Sequence, residues 1–382
     1  SLKDLALGLP TANNFVKGAS FSPDGTCLLT SSDDAVLRVF EVPSNALRAE
    51  KQDEPSGTTP TNDDAEEEWS PCLYSVEGET IYDFAWYPHM SSAEPATSVF
   101  VSTSRDHPLH MWDAFTGNLR ATYRAYDHLD EVVAANSVCF NTGGDKIFAG
   151  YNRMIRVFDV SQPGRSFEAR PTCKTRKSKI GQRGIISALA FCPETSGGGL
   201  FAAGSYAKTI FLYSENSRAR AVAELAMPLM GGVTQLKFAP DGRLLFSGSR
   251  KDAAILCWDI RRTKEVLYTL PRQVDTNQRI GFDIDPSGRY LATGSTERQA
   301  LVYDIQSQKL VGSLQNQPDA VGSVCFHPHA PLLSVCTGQR HFDLDTDTGS
   351  DSDGTNDNTK PTAESVRGGW RNGVTIHSIG NR

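Results

Sequence analysis

The sequence predicts an all-β fold: a seven-bladed β-propeller interrupted by two acidic disordered insertions. Three observations carry that prediction. First, a large apolar residue recurs two places before a turn signal, at Phe21, Trp86, Phe140, Phe191, Phe238, Ile284 and Phe326. Second, each of these turns leads into an apolar strand ending in small residues, as in LLTSS, FVSTS, FAAGS, LFSGS and LATGS. Third, a further strand closes on an aromatic–polar pair at Phe40, Trp112, Phe158, Tyr213, Trp258, Tyr303 and His377. Alternating strands such as ILCWDI and ALVYDI suit half-buried antiparallel pairing, and PDG or PSG supplies the tight turns between them.

The closing positions recur at intervals of 45 to 55 residues except twice, between Phe40 and Trp112 and between Tyr303 and His377. Each long interval holds an acidic tract. Residues 44–70 carry Glu50, Asp53, Glu54, Asp63, Asp64, Glu66, Glu67 and Glu68 against Arg48 and Lys51, and residues 343–366 carry seven acids against Lys360. Both are too rich in Asp, Thr, Ser, Gly and Asn to bury surface, so disorder is expected there. Without them the repeat averages about 47 residues, close to a four-stranded propeller blade, and 1–382 reads as one propeller domain. The first tract follows the third strand of blade one. The second lies between the second and third strands of blade seven, whose third strand is VTIHSI. The N-terminal residues 1–9 are the expected strand that closes the ring.

The formal net charge of −7 conceals a body of about +5 once both tracts are set aside. Eight cysteines lie scattered without a CxxC pair, mostly inside apolar strand-like runs, which reads as buried free thiols in a reducing compartment. No apolar run reaches the ~18 residues of a membrane span, no signal peptide opens the chain, and no N-x-[ST] acceptor occurs, so no membrane association is expected. The chain opens on Ser1 rather than Met, so an upstream segment is expected to be missing.

Catalytic signatures are missing. There is no P-loop, GxGxxG, HExxH or GxSxG element, so neither an enzyme nor a cofactor is expected. Ser205-x-x-Lys208 matches S-x-x-K only formally, within a repeat turn. His327 and His329 share a strand face and offer two metal ligands without a third, so an exposed HPHAP turn is the expected reading and no metal is assigned.

Binding is better supported. In a propeller the turn between second and third strands and the link between blades emerge on one face. Read blade by blade, those turns give Arg105, Arg153, Lys208, Arg250 with Lys251, Arg298 and Arg340, while blade one has Asp33 and Asp34. The stretch GRSFEARPTCKTRKSKIGQR, read as the link from blade three to four, adds Arg165, Arg170, Lys174, Arg176, Lys177, Lys179 and Arg183. Aromatics lie nearby at Tyr126 and His128, at Tyr151 and at Tyr206. Cations with stacking aromatics suit single-stranded RNA, each stacked base contributing about 1–3 kcal/mol. KTRKSK also reads as a nuclear import signal. Trp258-Asp259-Ile260-Arg261 fits the box by which some propellers dock on a cullin-ligase adaptor. Ser350 in GSDSDG reads as an acidic-directed kinase site, and the second acidic tract as a competitor for the basic face. Its deletion is then expected to tighten RNA binding at low salt.

The repeat resembles that of WD-repeat proteins, although the Gly-His dipeptide of that family is missing throughout. An acid in the turn between second and third strands survives at Asp33 or Asp34, Asp106 and Asp252, so the family's His–Asp network is not expected in most blades. A more specific resemblance runs through GETIYDFAWYPHMSSAEP and WDAFTGNLRATYRAYDHLDE, within residues 78–140. FVKGASFSPDG, RGIISALAF, SGSRKDAAILCWDIR and TNQRIGFDIDPSGRYLATGS add to it. These runs resemble the telomerase Cajal body protein family. That resemblance implies a nuclear RNA-binding propeller that recognises the CAB box of H/ACA-type small Cajal-body RNAs and telomerase RNA, directs them to Cajal bodies and supports telomere maintenance. It also implies a dyskerin-containing ribonucleoprotein as partner and a chaperonin for folding. The alternative is a nuclear protein-interaction scaffold, in pre-mRNA processing or as a ubiquitin-ligase substrate receptor, without RNA recognition. Where a generic propeller shows Gly-His, the link into blade three shows AYDHLDE, which narrows what residues 111–128 offer the site to Tyr126 and His128.

Overall fold

The computed structural model describes residues 2–3, 14–48, 69–175, 180–193, 199–217, 221–225, 231–341 and 372–379. They form seven four-stranded antiparallel sheets. The innermost strands are Val16–Phe21, Ile81–Trp86, Ser137–Phe140, Ile186–Phe191, Val233–Phe238, Phe282–Ile284 and Val321–Phe326. Within each blade the chain zigzags outward from the axis, so second-to-third turns and inter-blade links share one face.

Register explains why the repeat was so visible. Phe21 and Phe40 both pair with Leu28, Trp86 and Trp112 with Phe100, and Phe238 and Trp258 with Leu245. The residue before the first turn and the residue closing the third strand therefore lie in one row across each blade. A large apolar side chain of the second strand sits between them. Leu28, Phe100 and Leu245 are fully buried, and such rows pack blade against blade.

Adjacent inner strands are stitched by side chains. Asp83 accepts from the Val138 amide at 3.1 Å, Ser187 donates to the Val233 carbonyl at 2.6 Å, and Gln235 brackets Phe282 through its carbonyl (2.7 Å) and amide (3.1 Å). In blades two and five a β-bulge at Ile81/Asp83 and at Val233/Gln235 immediately precedes the stitching residue, the re-aiming of a side chain that bulges provide.

Blade seven is assembled from both parts of the chain. Its outer strand is Leu2–Lys3, pairing Leu2 with Val374 and Lys3 with Gly373, as expected for the N-terminal residues. His327 is buried rather than exposed, contrary to the reading of HPHAP. Its Nδ1 accepts from the amides of His329 (3.1 Å) and Ala330 (2.9 Å), so Nε2 carries the proton and donates to the Gly25 carbonyl at 2.8 Å. The histidine ties the first turn of blade seven to that of blade one.

The two acidic tracts fall mostly outside the described residues: 49–68 of the first and all of 343–366, with Ser350. The first tract is ordered at its ends. Ser44–Arg48 forms a short helix, and the Trp69 indole packs on Phe40 at 5.2 Å while donating to the Glu41 carbonyl at 2.6 Å. Ala46 and Trp69 both pack on the core beneath blade one, which is why these residues depart from the disorder expected over 44–70.

Candidate nucleic-acid interface

The link residues occupy the place where a Gly-His dipeptide would act, and other chemistry fills it. Glu77 is buried and accepts from His110 at 2.9 Å, from Ser104 at 2.9 Å and from Ser102. Trp112 donates its indole N–H to Ser102 at 2.7 Å. Burial alone would raise the Glu77 pKa, but hydrogen bonds from His110 and the two serines hold it below the ordinary carboxylate range. In blade four Gln182 bonds to the carbonyls of Ala203 (2.7 Å) and Thr209 (3.2 Å) and accepts from Tyr213 at 3.1 Å. In blade one Asp34 pairs with Arg38 and accepts from Asn14 at 3.0 Å. The polar network expected to be lost is rebuilt in these blades from other residue types.

The turns between second and third strands carry the predicted cations in a shared conformation. Ala35, Asp106, Arg153, Lys208, Lys251 and Arg298 all adopt left-handed backbone, with φ between 49° and 63°. Their electrostatic surroundings differ. Arg340 pairs with Asp33 at 2.9 Å, and Lys17 pairs with the same carboxylate at 2.8 Å. Burial would raise the Asp33 pKa, but Lys17 and Arg340 hold it low, so the acidic gap in blade one is filled by its neighbours. Arg105 pairs with exposed Asp106 at 3.3 Å. Among the described residues no ion pair involves Arg153, Lys208, Arg250, Lys251 or Arg298. The uncompensated positive charge is therefore an arc over blades three to six. Exposed Lys174 and Arg183 join it in the link between blades three and four, against Asp275 and Glu297, which form no ion pair among the described residues, and against buried Asp252 of the blade-five turn.

Two assignments to that link need correction. Gly164 and Arg165 lie in the turn between third and fourth strands of blade three, where Gly164 bridges to Tyr123 of blade two. Arg170 is buried in the outer strand Glu168–Pro171, paired with Glu168 at 2.9 Å and set against the Phe148 ring, so it adds no charge to the face. Arg176, Lys177 and Lys179 lie outside the described residues.

The aromatics are already stacked. Tyr206 carries the Arg250 guanidinium at 3.9 Å, and Tyr126 carries that of Arg165 at 3.9 Å. Tyr151 is buried beside Arg156 and is unavailable as a platform. A guanidinium stacked on a tyrosine still offers its outer face to a base. The AYDHLDE link is a tight loop: Tyr126 bridges Val132, and the Asp127 carboxylate accepts from the amides of Leu129 (2.8 Å) and Glu131 (3.1 Å). His128 stands at its tip, 86% exposed, and no hydrogen bond or ion pair among the described residues joins it to another predicted site residue.

The remaining motifs serve the fold. Ser205 donates to the Arg183 carbonyl at 2.6 Å, capping its own turn. In WDIR, Trp258 is fully buried and Arg261 is tied to Asp259 by bonds of 2.9 and 2.6 Å.

Sequence reasoning missed the axial channel. A cavity of about 400 Å³ there is lined by Lys17, Asp83, Lys237, Gln278, Arg279 and Asp283, together with Arg250 from the face. The signal was a charged residue inside innermost strands that otherwise read as core: VKGASF, IYDFAW and VTQLKF. Asp83 and Arg279 pair across the channel at 3.1 Å, and Lys237 pairs with Asp283.

The model of the WD domain, G-beta repeat, matches residues 8–41 and 229–259. The chain is 44% identical over 349 residues to Telomerase Cajal body protein 1 of Mesocricetus auratus, covering 90% of this chain and 61% of that protein. It is 35% identical over 362 residues to the Telomerase Cajal body protein 1 homolog of Drosophila melanogaster, covering 92% and 62%. The Guanine nucleotide-binding protein negative regulator 1 of Schizosaccharomyces pombe is 28% identical over 345 residues, covering 87% and 82%. The chain thus spans less than two thirds of the length of the Cajal body relatives. Those relatives' name places them at the Cajal body, a nuclear compartment. Seven blades and the WD matches make the chain a WD-repeat propeller, similar through nine tenths of its length to the telomerase Cajal body proteins over the part of them that it spans.

Proposed function

We infer that this chain is a non-catalytic, nuclear RNA-binding propeller. It recognises the CAB box of H/ACA-type small Cajal-body RNAs and telomerase RNA, and directs them to Cajal bodies in support of telomere maintenance. The dyskerin-containing ribonucleoprotein is its assembly partner and the chaperonin its folding partner. The single observation that carries this reading is the uncompensated cationic arc over blades three to six, with the Tyr206–Arg250 stack inside it. Phosphates need unpaired cations and splayed bases need planar platforms, and this arc supplies both. The names of the relatives agree with it.

Crosslinking in cells is the direct test. Recovery of H/ACA RNAs, lost on mutation of their CAB box, is expected; recovery of a cullin adaptor without RNA would replace this reading with a protein-only scaffold. In vitro, Arg153→Ala, Lys208→Ala and Lys251→Ala should each weaken binding. Each should also lower the slope of log affinity against log salt, by about 0.7 for every single-strand phosphate that is no longer neutralised. Arg340→Ala, already neutralised by Asp33, should change that slope least.

A further inference from the structure

Of the cations lining the axial cavity, Lys17, Lys237 and Arg279 each have a carboxylate partner, and Arg250 alone has none among the described residues. Its Nε is buried without a hydrogen-bond acceptor, while the guanidinium plane rests on Tyr206 at 3.9 Å. Gln278 lines the same cavity, and its Nε2 is likewise buried without an acceptor. A buried donor left unpaired costs about 1–3 kcal/mol, and a turn of either side chain into the cavity that it lines would let a bound acceptor satisfy it. The cavity also has an apolar wall at half-buried Phe84, backed by buried Phe15 and Phe282, and its volume of about 400 Å³ lies within the range of ligand-binding pockets. A bare phosphate ion would leave most of that volume and all of the apolar wall unused.

We propose that the axial cavity is a pocket for a single nucleotide. Arg250 and Gln278 donate to its phosphate and base acceptors, and the aromatic wall packs on its base. This rests on the RNA reading above, under which the nucleotide is one residue everted from the bound strand into the channel. The cationic arc then positions the strand, and the pocket, which shares Arg250 with the arc, supplies base-dependent contacts.

Gln278 is neutral, which lets the pocket be tested apart from the arc. The full chain is titrated with the four nucleoside 5′-monophosphates, with inorganic phosphate, and with a mixed-sequence single-stranded RNA of about 12 nucleotides. Saturable mononucleotide binding is expected, with affinity reduced about tenfold by Gln278→Leu and further by Gln278→Glu. Gln278→Leu should weaken RNA binding to a similar degree while leaving the salt slope unchanged, since no charge is removed. If mononucleotides do not bind and both Gln278 variants keep wild-type RNA affinity, the pocket is refuted while RNA binding by the arc stands. Inorganic phosphate competing as well as a mononucleotide would reduce the site to an anion site and overturn the proposal. Mononucleotide binding without any RNA binding would uphold the pocket and remove the RNA reading. Retained circular dichroism and thermal midpoints no lower than that of the wild type show that both variants are folded.

Discussion

Glu77 is the residue at which this propeller departs most from a histidine-based repeat, and the departure has an energetic signature. Its carboxylate receives three side-chain donors in a buried site, so Glu77→Ala strands His110, Ser102 and Ser104 together. The loss should be about 3 kcal/mol, read as a lower urea midpoint with an unchanged slope. Glu77→Gln keeps the shape and one acceptor, and should lose less. The folded-state pKa is depressed below 4.5, so the stabilisation by the carboxylate is present above that value and lost as pH falls through the folded value. The gap in stability between wild type and Glu77→Gln should therefore be full at pH 7 and shrink below pH 4.5. A gap independent of pH would mean that charge has no part in the network.

At the scale of the element, the turns between second and third strands join stability to binding. An L-residue held in left-handed backbone costs about 1–2 kcal/mol, and four consecutive blades place arginine or lysine there instead of glycine. Strain retained at such positions is what a functional constraint leaves behind. Lys251→Gly and Arg298→Gly should each raise stability by about 0.5–1 kcal/mol in thermal or urea unfolding while weakening RNA binding. Ala35→Gly, in the equivalent turn of blade one, should stabilise as much and leave RNA affinity untouched. The same turns show how far the sequence could be read. Turn signals and row-forming aromatics are local, so the seven blades, their order and the cationic turns were legible from residues such as Phe21, Trp258 and Lys208. Pairing between distant residues was not. Nothing near Arg340 announces that Asp33, some 300 positions earlier, neutralises it, and nothing near Arg170 announces its burial. The channel stayed hidden because Lys237 or Asp83 inside an apolar strand looks the same whether it faces an axis or a neighbouring blade.

For the whole molecule, the decisive step is closure of the ring, because a propeller gains its last blade-to-blade interface only when blades seven and one meet. The inner strand Val16–Phe21 packs beside Val321–Phe326, Phe21 sets its edge on the His327 ring at 5.0 Å, and His327 donates to the Gly25 carbonyl across the seam. Gly25 has φ of 75°, and a Cβ there would lie 2.5 Å from the His327 ring, so Gly25→Ala combines backbone strain with a clash at a buried, bonded side chain. It should destabilise by at least about 2 kcal/mol. The seam should also be sensitive to acid. Burial lowers the His327 pKa below 6.5 despite the opposing Gly25 carbonyl, so its contribution is present above pH 6.5 and lost as pH falls through the folded value. Asp24, in the facing turn, does not titrate in that window. Burial would raise its pKa, but hydrogen bonds from Ser22, Ser92 and Thr26 hold it at about 2. Between pH 7.5 and 5.5 the wild-type thermal midpoint should therefore fall further than that of His327→Asn, which keeps an acceptor for the turn but does not titrate. Hydrogen exchange localises the effect: at pH 5.5 amides of Val16–Phe21 and Val321–Phe326 should lose protection before those of Val233–Phe238 on the far side of the ring. Uniform loss of protection across all blades would show that the ring opens as a whole and that His327 does not hold its seam.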